Sequence, residues 1–261
     1  MKKALLDVLF MSEKRTSTLL LLKNGAKEME YLLSSLKTNR QSLLPQMRIL
    51  EEHYLVSHDR DTYELTTIGK IIVDEMAPLV STTDVLDANI DYWGTHNLDL
   101  VPPYLLERIN ELQNCKILNP SIVEMFEINK DFVESAIISS SISLISAIMH
   151  PSFPPLLSGL IKGNKEVLLI ISKEVLSKLK EESYNQFKEF IDHGGVKFYL
   201  YPNDLKVTTL AISDSCFILR LLSKNHEFSN KQLICNDPCS HQWSKDLFDH
   251  YLKSSVLITE I

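Results

Sequence analysis

Cysteine is scarce. Four residues (Cys115, Cys216, Cys235 and Cys239) in a chain of 261 cannot staple a domain of this size, which excludes a disulfide scaffold and implies a reducing compartment. Long hydrophobic runs are missing as well: the uncharged stretch from Ser135 to Met149 is rich in serine and, at 15 residues, falls short of a membrane span. Positive charge is in deficit, with 27 Lys and Arg against 34 Asp and Glu and a formal charge of −7. The molecule is therefore no polycation, and any contact with nucleic acid must be local. The stretch from Met1 to Met11 imitates a short signal peptide. Asp7 interrupts its apolar run, however, and Glu13-Lys14-Arg15 stands where small cleavage-site residues are needed, so it reads as a helix of the mature chain. These absences together predict a soluble, cytoplasmic protein without a membrane partner. With 44% hydrophobic and 23% charged residues there is material for one large core or two small ones, which excludes a disordered or collagen-like chain.

The total charge hides a division. Residues 1 to 70 carry 11 basic and 9 acidic side chains, whereas residues 71 to 261 carry 16 and 25. Inside the first block Glu30 and Glu51 bracket twenty residues without an acid, and Lys37, Arg40 and Arg48 lie among them. Apolar spacing predicts helices over 3–11, 13–23 and 26–36, then a fourth from about Asn39 to His53. Asn24-Gly25 stops the second of these, because glycine accepts the left-handed turn at a helix end. In the fourth, Leu43, Met47 and Leu50 form one buried stripe, and Arg40, Gln41, Leu44, Pro45, Arg48 and Ile49 lie off it. Pro45 has no N–H for a helix interior, so the regular helix is expected to start near Ser42 as its N-cap, with Pro45 in the first turn. Leu55-Val56 and Tyr63 to Thr66 then read as two strands around the polar turn 57–62, followed by a helix from Thr66 through Val80. Helices, a hairpin and a closing helix make a winged helix-turn-helix over residues 1–80.

The stretch Asn39 to Val56, with its ending Leu50-Glu51-Glu52, two residues, then Leu55-Val56, and the following Tyr63-Glu64-Leu65-Thr66-Thr67-Ile68-Gly69, resembles the recognition helix, wing and closing helix of archaeal and MarR-type winged-helix regulators. Tyr54 stands where such proteins commonly have glycine, so a tyrosine must take up the left-handed turn. A recognition helix places its N-terminal turns in the major groove. Arg40 and Arg48 are then the cationic candidates for DNA contact, Gln41, Ser42 and Gln46 the polar ones, and His58 and Arg60 at the wing tip the candidates for backbone or minor groove. The resemblance implies double-stranded DNA as partner and a homodimer, because paired recognition helices need paired half-sites.

Residues 81–118 are broken by Gly94 and Pro102-Pro103, with apolar stripes at Val85, Ile90, Trp93 and Leu98 and at Leu105, Leu106, Ile109 and Leu112. They read as a helical linker or dimerisation segment. From residue 119 to 261 strand-like and helix-like segments alternate. Ala136 to Ser139 and Leu144 to Met149 look extended, 155–162 helical, 166–171 a buried strand, 174–192 one long amphipathic region, and Val196 to Tyr201 a strand entered through Gly194-Gly195. Further strands at 207–213, 216–222 and 232–235 precede a closing helix, 240–253. The fold class is α/β (α+β). The order of Val101-Pro102-Pro103-Tyr104, His150-Pro151-Ser152-Phe153, Glu166 to Ile171, Phe198 to Tyr201 and Trp243 to Tyr251 resembles the effector domain of the methanogenesis regulatory protein family (FilR type). That likeness implies an archaeal transcription regulator whose second domain senses a signal, on a fold similar to phospholipase D.

The enzymatic version of that fold needs His-x-Lys, a histidine nucleophile with a lysine two residues on. None of the eight histidines has it, so no catalytic residue is assigned. Gly194-Gly195 lacks the phosphate-loop pattern and reads as a turn. His150, Phe153, Phe198, Tyr199 and Tyr201 are candidates for a pocket for a small-molecule effector, against core packing as the plainer role. Cys235 and Cys239 with His241 offer a metal or thiol switch at unusual spacing, against simple burial. No cofactor or metal is assigned. Two readings remain, a DNA-binding regulator and a winged helix that docks other proteins.

Overall fold

The computed structural model describes residues 3–121, 128–149, 153–163, 165–205 and 207–260, with the backbone alone at 153, 154 and 162. The chain divides into two compact units, residues 1–82 and 83–261.

The first unit opens with α1 (Leu5–Phe10) and α2 (Glu13–Leu22), then β1 (Lys27–Glu28), α3 (Met29–Ser35), α4 (Arg40–Glu52), β2 (Val56–Asp59), β3 (Thr62–Leu65) and α5 (Thr67–Asp87). Val8, Leu19, Leu22, Met29, Leu32, Leu43, Met47, Leu50, Leu55 and Val73 close one apolar core. The segment expected as a single helix from Ala26 starts instead with β1, which pairs antiparallel with β3 and gives the wing a third strand. The wing is longer and its turn tighter than the sequence suggests. Pairing runs from Val56–Leu65 out to Asp59–Thr62, because Arg60 takes a left-handed conformation (φ 54°) and closes the hairpin with Asp61 alone.

Helix α4 begins earlier than expected. Asn39 is the N-cap, its Oδ1 accepting from the Ser42 N–H at 2.9 Å, so Ser42 lies inside the helix. Pro45 falls in the helix interior and deprives the Gln41 carbonyl of its donor. Both residues are exposed, so water can satisfy the carbonyl and the helix continues. At its far end Tyr54 does adopt the left-handed turn (φ 58°). The Leu55 N–H bonds to the Leu50 carbonyl at 3.0 Å and the Tyr54 N–H to the Glu51 carbonyl at 2.9 Å, with Leu50 and Leu55 both buried. This is the reciprocal hydrogen-bonding pattern that ordinarily recruits glycine. Gly69 has a different reason for its place. A Cβ there would run into the carbonyl oxygen of Leu55, so only glycine lets α5 start against the root of the wing.

The second unit contains α6 (Ile90–Thr95), α7 (Pro103–Leu106), β4 (Lys116–Leu118), α8 (Lys130–Ile138), β5 (Ser141–Ser146), α9 (Phe153–Lys162), β6 (Glu166–Ile171), α10 (Lys173–Glu182), α11 (Tyr184–His193), β7 (Val196–Leu200), β8 (Val207–Ile212), β9 (Phe217–Leu221), β10 (Gln232–Cys235), α12 (Pro238–Leu252) and β11 (Val256–Leu257). The strands form one mixed eight-stranded sheet in the order β11-β7-β6-β5-β8-β9-β10-β4, with β5, β6 and β7 parallel. Two apolar cores flank it. One holds α8, α9 and Phe187 and Phe190 of α11; the other holds Trp243, Leu247 and Tyr251 of α12.

Ala136 to Ser139, expected as extended, belongs to α8 and its cap, because Asn129 Oδ1 caps the helix on the Phe132 N–H at 3.2 Å and buries Phe132 and Ala136. The long amphipathic region 174–192 is broken into α10 and α11 at Ser183. Residues expected to link two domains are instead part of this unit. Tyr92, Trp93, Leu105, Ile109 and Leu112 are buried in its core, Trp243 Nε1 donates to the Leu105 carbonyl at 2.9 Å, the Tyr251 hydroxyl donates to the Leu100 carbonyl at 2.7 Å, and β4 is an edge strand of the sheet. Apart from Ile90, which stays exposed, the apolar stripes find a home within the chain, which removes them from water.

Candidate nucleic-acid interface

Helix α4 buries Leu43, Met47 and Leu50 and turns Arg40, Gln41, Pro45 and Arg48 outward, with Ser42, Leu44, Gln46 and Ile49 half-buried. The outward residues at 41, 45 and 48 follow the helical repeat and form one exposed stripe. The wing lies beside it, bound to α4 by an ion pair and by a histidine–carboxylate hydrogen bond. Arg40 Nη2 meets Asp61 Oδ1 at the tip, and His58 Nδ1 lies 2.5 Å from Glu51 Oε1 near the helix end. His58 also stacks on Tyr63, ring centroids 5.3 Å apart. Burial, and then the nearby carboxylates of Glu51 and Asp61, push the Tyr63 phenol above its ordinary pKa, with Arg40 working the other way. The field at the wing is thus mixed in sign.

The seven sequence candidates therefore divide by what holds them. Gln41, Arg48 and Arg60 are exposed and make no side-chain hydrogen bond or ion pair among the described residues. Arg40 and His58 are exposed but engaged with acids of the same unit. Ser42 Oγ accepts from Lys14 Nζ. Gln46 faces inward, its Oε1 accepting from Arg15 Nη1 at 2.7 Å and from Ser12 Oγ at 3.4 Å. Arg15, only 4% exposed, also donates to the carbonyls of Val8 at 2.6 Å and Asp7 at 3.0 Å, so Gln46 completes the acceptor set of a buried cation. Sequence reasoning did not single out Lys14, Arg15 or Asp61. The acid in the Arg60-Asp61 turn was a readable sign that one interface cation has a local partner.

The aromatic residues expected to line an effector pocket are not brought together. Phe198 points into one core, edge-on to Phe187 with centroids 4.7 Å apart, whereas Tyr199 and Tyr201 pack on the opposite face of the sheet, Tyr201 5.2 Å from Tyr251. Side chains alternate across a strand, so neighbours on β7 cannot share a cavity. His150 and the side chain of Phe153 lie outside the described residues. The Cys235–Cys239 pairing is not seen either. Cys235 is joined to Cys115 as a disulfide between the β10 and β4 edges (Cα–Cα 4.5 Å), Cys239 is exposed and Cys216 is buried. The single bridge leaves the exclusion of a disulfide scaffold in place but runs against the reducing compartment expected from the cysteine count: antiparallel register sets position 115 opposite 235, a proximity that sequence spacing cannot reveal. Among the described residues no cluster of three metal-binding side chains occurs, and no helix is long and apolar enough to cross a membrane.

A winged-helix unit with an exposed recognition-type face, followed by a mixed α/β unit, defines a two-unit protein of the winged-helix regulator class. Comparison with known proteins gives the family. Residues 3–84 match the N-terminal domain and residues 125–254 the middle domain of the methanogenesis regulatory protein FilR1, and the chain belongs to this archaeal family of regulatory proteins. The methanogenesis regulatory protein FilR1 of Methanothrix harundinacea is 23% identical over 254 residues, covering 95% of this chain and 57% of the relative, so the chain spans little more than half its length. Among solved structures, TrmBL2, described as an archaeal chromatin protein with a novel mode of DNA binding, aligns over 97% of each chain at 13% identity and a TM-score of 0.41. A riboflavin-derivative dimethyltransferase (RosA) from Streptomyces davawensis aligns over 76% of this chain and 62% of its own at 13% identity and a TM-score of 0.24.

Proposed function

We propose that the chain is a cytoplasmic, DNA-binding transcriptional regulator. In this reading the outward stripe of α4 enters the major groove, with Arg40, Gln41 and Arg48 toward bases and phosphates and Arg60 and His58 at the wing toward the backbone. Ser42 and Gln46 hold the helix in place. The protein acts as a homodimer, with the exposed Ile90 of the segment 81–118 contributing to the contact between protomers. The second unit, residues 119–261 with the segment before it, is a non-catalytic relative of the phospholipase D-like domains that senses a small molecule and shifts the population of DNA-competent dimers.

The observation that carries the reading is the exposed Arg48 and Gln41, without a side-chain partner among the described residues, on a helix whose opposite face is buried in a winged-helix core. Membership of a family of regulatory proteins supports it. The test is an electrophoretic shift of a low-salt duplex library by the full chain and by an Arg40→Ala, Arg48→Ala double variant. Weaker retardation by the folded variant is the expected result. Equal retardation by both removes α4 from the interface, and no retardation by either favours a winged helix that docks proteins.

A further inference from the structure

In the second unit, β9 runs Phe217-Ile218-Leu219-Arg220-Leu221, an arginine inside an otherwise apolar strand. Arg220 is only 6% exposed. Its Nε and Nη2 both donate to a single acceptor, Gln232 Oε1, at 3.2 and 3.0 Å, and Nη1 has no acceptor among the described residues. No carboxylate pairs with it there, and burial pulls the guanidinium below its ordinary pKa. A guanidinium has five donors and a permanent charge, and a neutral amide supplies no countercharge. A buried cation without an anion is costly to keep.

The surroundings define what Arg220 faces. Thr209 pairs with Arg220 across β8 and β9, and the Leu233–Leu219 pairing sets Gln232 opposite Arg220 on β10. Ser146, the last residue of β5, pairs with Thr209. A polar row thus crosses four strands at the carboxyl end of β5, next to the point where strand order turns back from the parallel trio to β8. Open α/β sheets place their ligands at such an edge. Thr209, Arg220 and Gln232 form the polar end of a cavity of about 70 Å³ whose walls include Phe132, Leu144, Ala211 and Ile218. Gln232 and Asn129 also border an open cleft of about 350 Å³, with Lys130 and Asp131 on its rim, which gives a way in from solvent.

We propose that this cavity binds a small organic monocarboxylate, its carboxylate held by Arg220 with the Gln232 amide and Thr209 hydroxyl, its short aliphatic chain lying against Phe132, Leu144, Ala211 and Ile218. The volume is about half the roughly 150 Å³ of a cavity that admits benzene, so a chain of a few carbons suits it better than an aromatic ring. Phosphate fits poorly, because walls that are mostly hydrocarbon would leave its extra oxygens unpaired. This assigns a ligand class to the sensing role proposed above, but binding requires no DNA, so the two readings fail separately.

The test is thermal unfolding of the full chain in sodium acetate, propionate, butyrate or hexanoate, against sodium chloride and sodium phosphate at matched ionic strength. At a hundredfold excess over Kd, one of the shorter acids is expected to raise the unfolding temperature of the second unit by on the order of 5 °C. Arg220→Met is expected to lose that response while melting no lower than the parent without ligand, because an unpaired buried charge has been removed. If that variant fails to fold, Ala211→Leu, which fills the cavity and leaves Arg220 in place, is expected to lose the response instead. The proposal is overturned by no shift with any acid, by a shift that survives in the folded variant, or by an equal shift with phosphate.

Discussion

Arg48 and Arg40 stand on the same exposed helix but should contribute unequally to DNA binding, and the structure says by how much. A protein that neutralises one phosphate loses about 0.9 from the slope of log K against log salt when that contact is removed. Over a fourfold change in salt this is about 3.5-fold in affinity per contact, and about twelvefold where both protomers of a dimer engage. Arg48 has no partner among the described residues to give up, so Arg48→Ala should remove the full increment. Arg40 must leave or share Asp61 before it meets a phosphate. An exposed pair of this kind is worth about 0 to 1 kcal/mol, so Arg40→Ala should flatten the slope by less. Asp61→Asn releases Arg40 and removes an acid from the wing tip, and should raise low-salt affinity by up to about fivefold per protomer. In that background Arg40→Ala should cost a whole contact. Fluorescence anisotropy with one labelled duplex, between 50 and 200 mM salt, measures all five proteins. Identical slopes for the parent and Arg48→Ala, or weaker binding by Asp61→Asn, would refute the reasoning.

Gln46→Ala should lower stability by about 1 to 3 kcal/mol, because it strips an acceptor from buried Arg15; a binding loss at temperatures well below the melt, without a change in melting, would assign Gln46 to DNA contact instead. Gly69→Ala drives a Cβ into the Leu55 carbonyl and should destabilise the first unit by on the order of 3 kcal/mol, seen as a lower denaturant midpoint. His96 is buried, with Nδ1 2.8 Å from the Tyr92 carbonyl and Nε2 2.8 Å from Ser229 Oγ. Burial first, then Lys231, holds its pKa below the ordinary 6.5, against the Tyr92 hydrogen bond. The unfolded chain therefore takes up this proton at higher pH than the folded one. The stabilisation is complete above about 6.5 and is lost as pH falls through the lowered folded value. Urea titrations from pH 7.5 to 5 should show that decline, and His96→Gln should flatten it; an unchanged decline in the variant would place its origin elsewhere.

The first unit could be read from sequence because its signals are local. The Leu43, Met47, Leu50 stripe, the break at Asn24-Gly25 and the tyrosine forced into a left-handed turn each depend on a few neighbouring residues, and each appears in the structure. Errors at α4 and the wing came from competition between local rules. Pro45 argued for a late start, but the Asn39 cap prevailed because an exposed carbonyl can bond to water. The second unit was less readable, since its decisive facts are pairings between distant residues. Nothing near Cys115 points to Cys235, whereas the alternation along the expected strand 196–201 already set Phe198 and Tyr199 on opposite faces of the sheet. The assembly of Thr209, Arg220 and Gln232 needs three strands in register. One local sign was present, a lone arginine in the apolar run 216–222, a position where burial of a charge calls for a ligand or an acid.

The most direct measurement of the account is selection of genomic fragments by the full-length chain, followed by sequencing of what is retained. Enrichment of one defined duplex sequence with two-fold related half-sites, lost when Arg40 and Arg48 are both replaced by alanine in a chain that still folds, is the predicted result. Retention no different from random DNA, or an enrichment indifferent to those two residues, would contradict it.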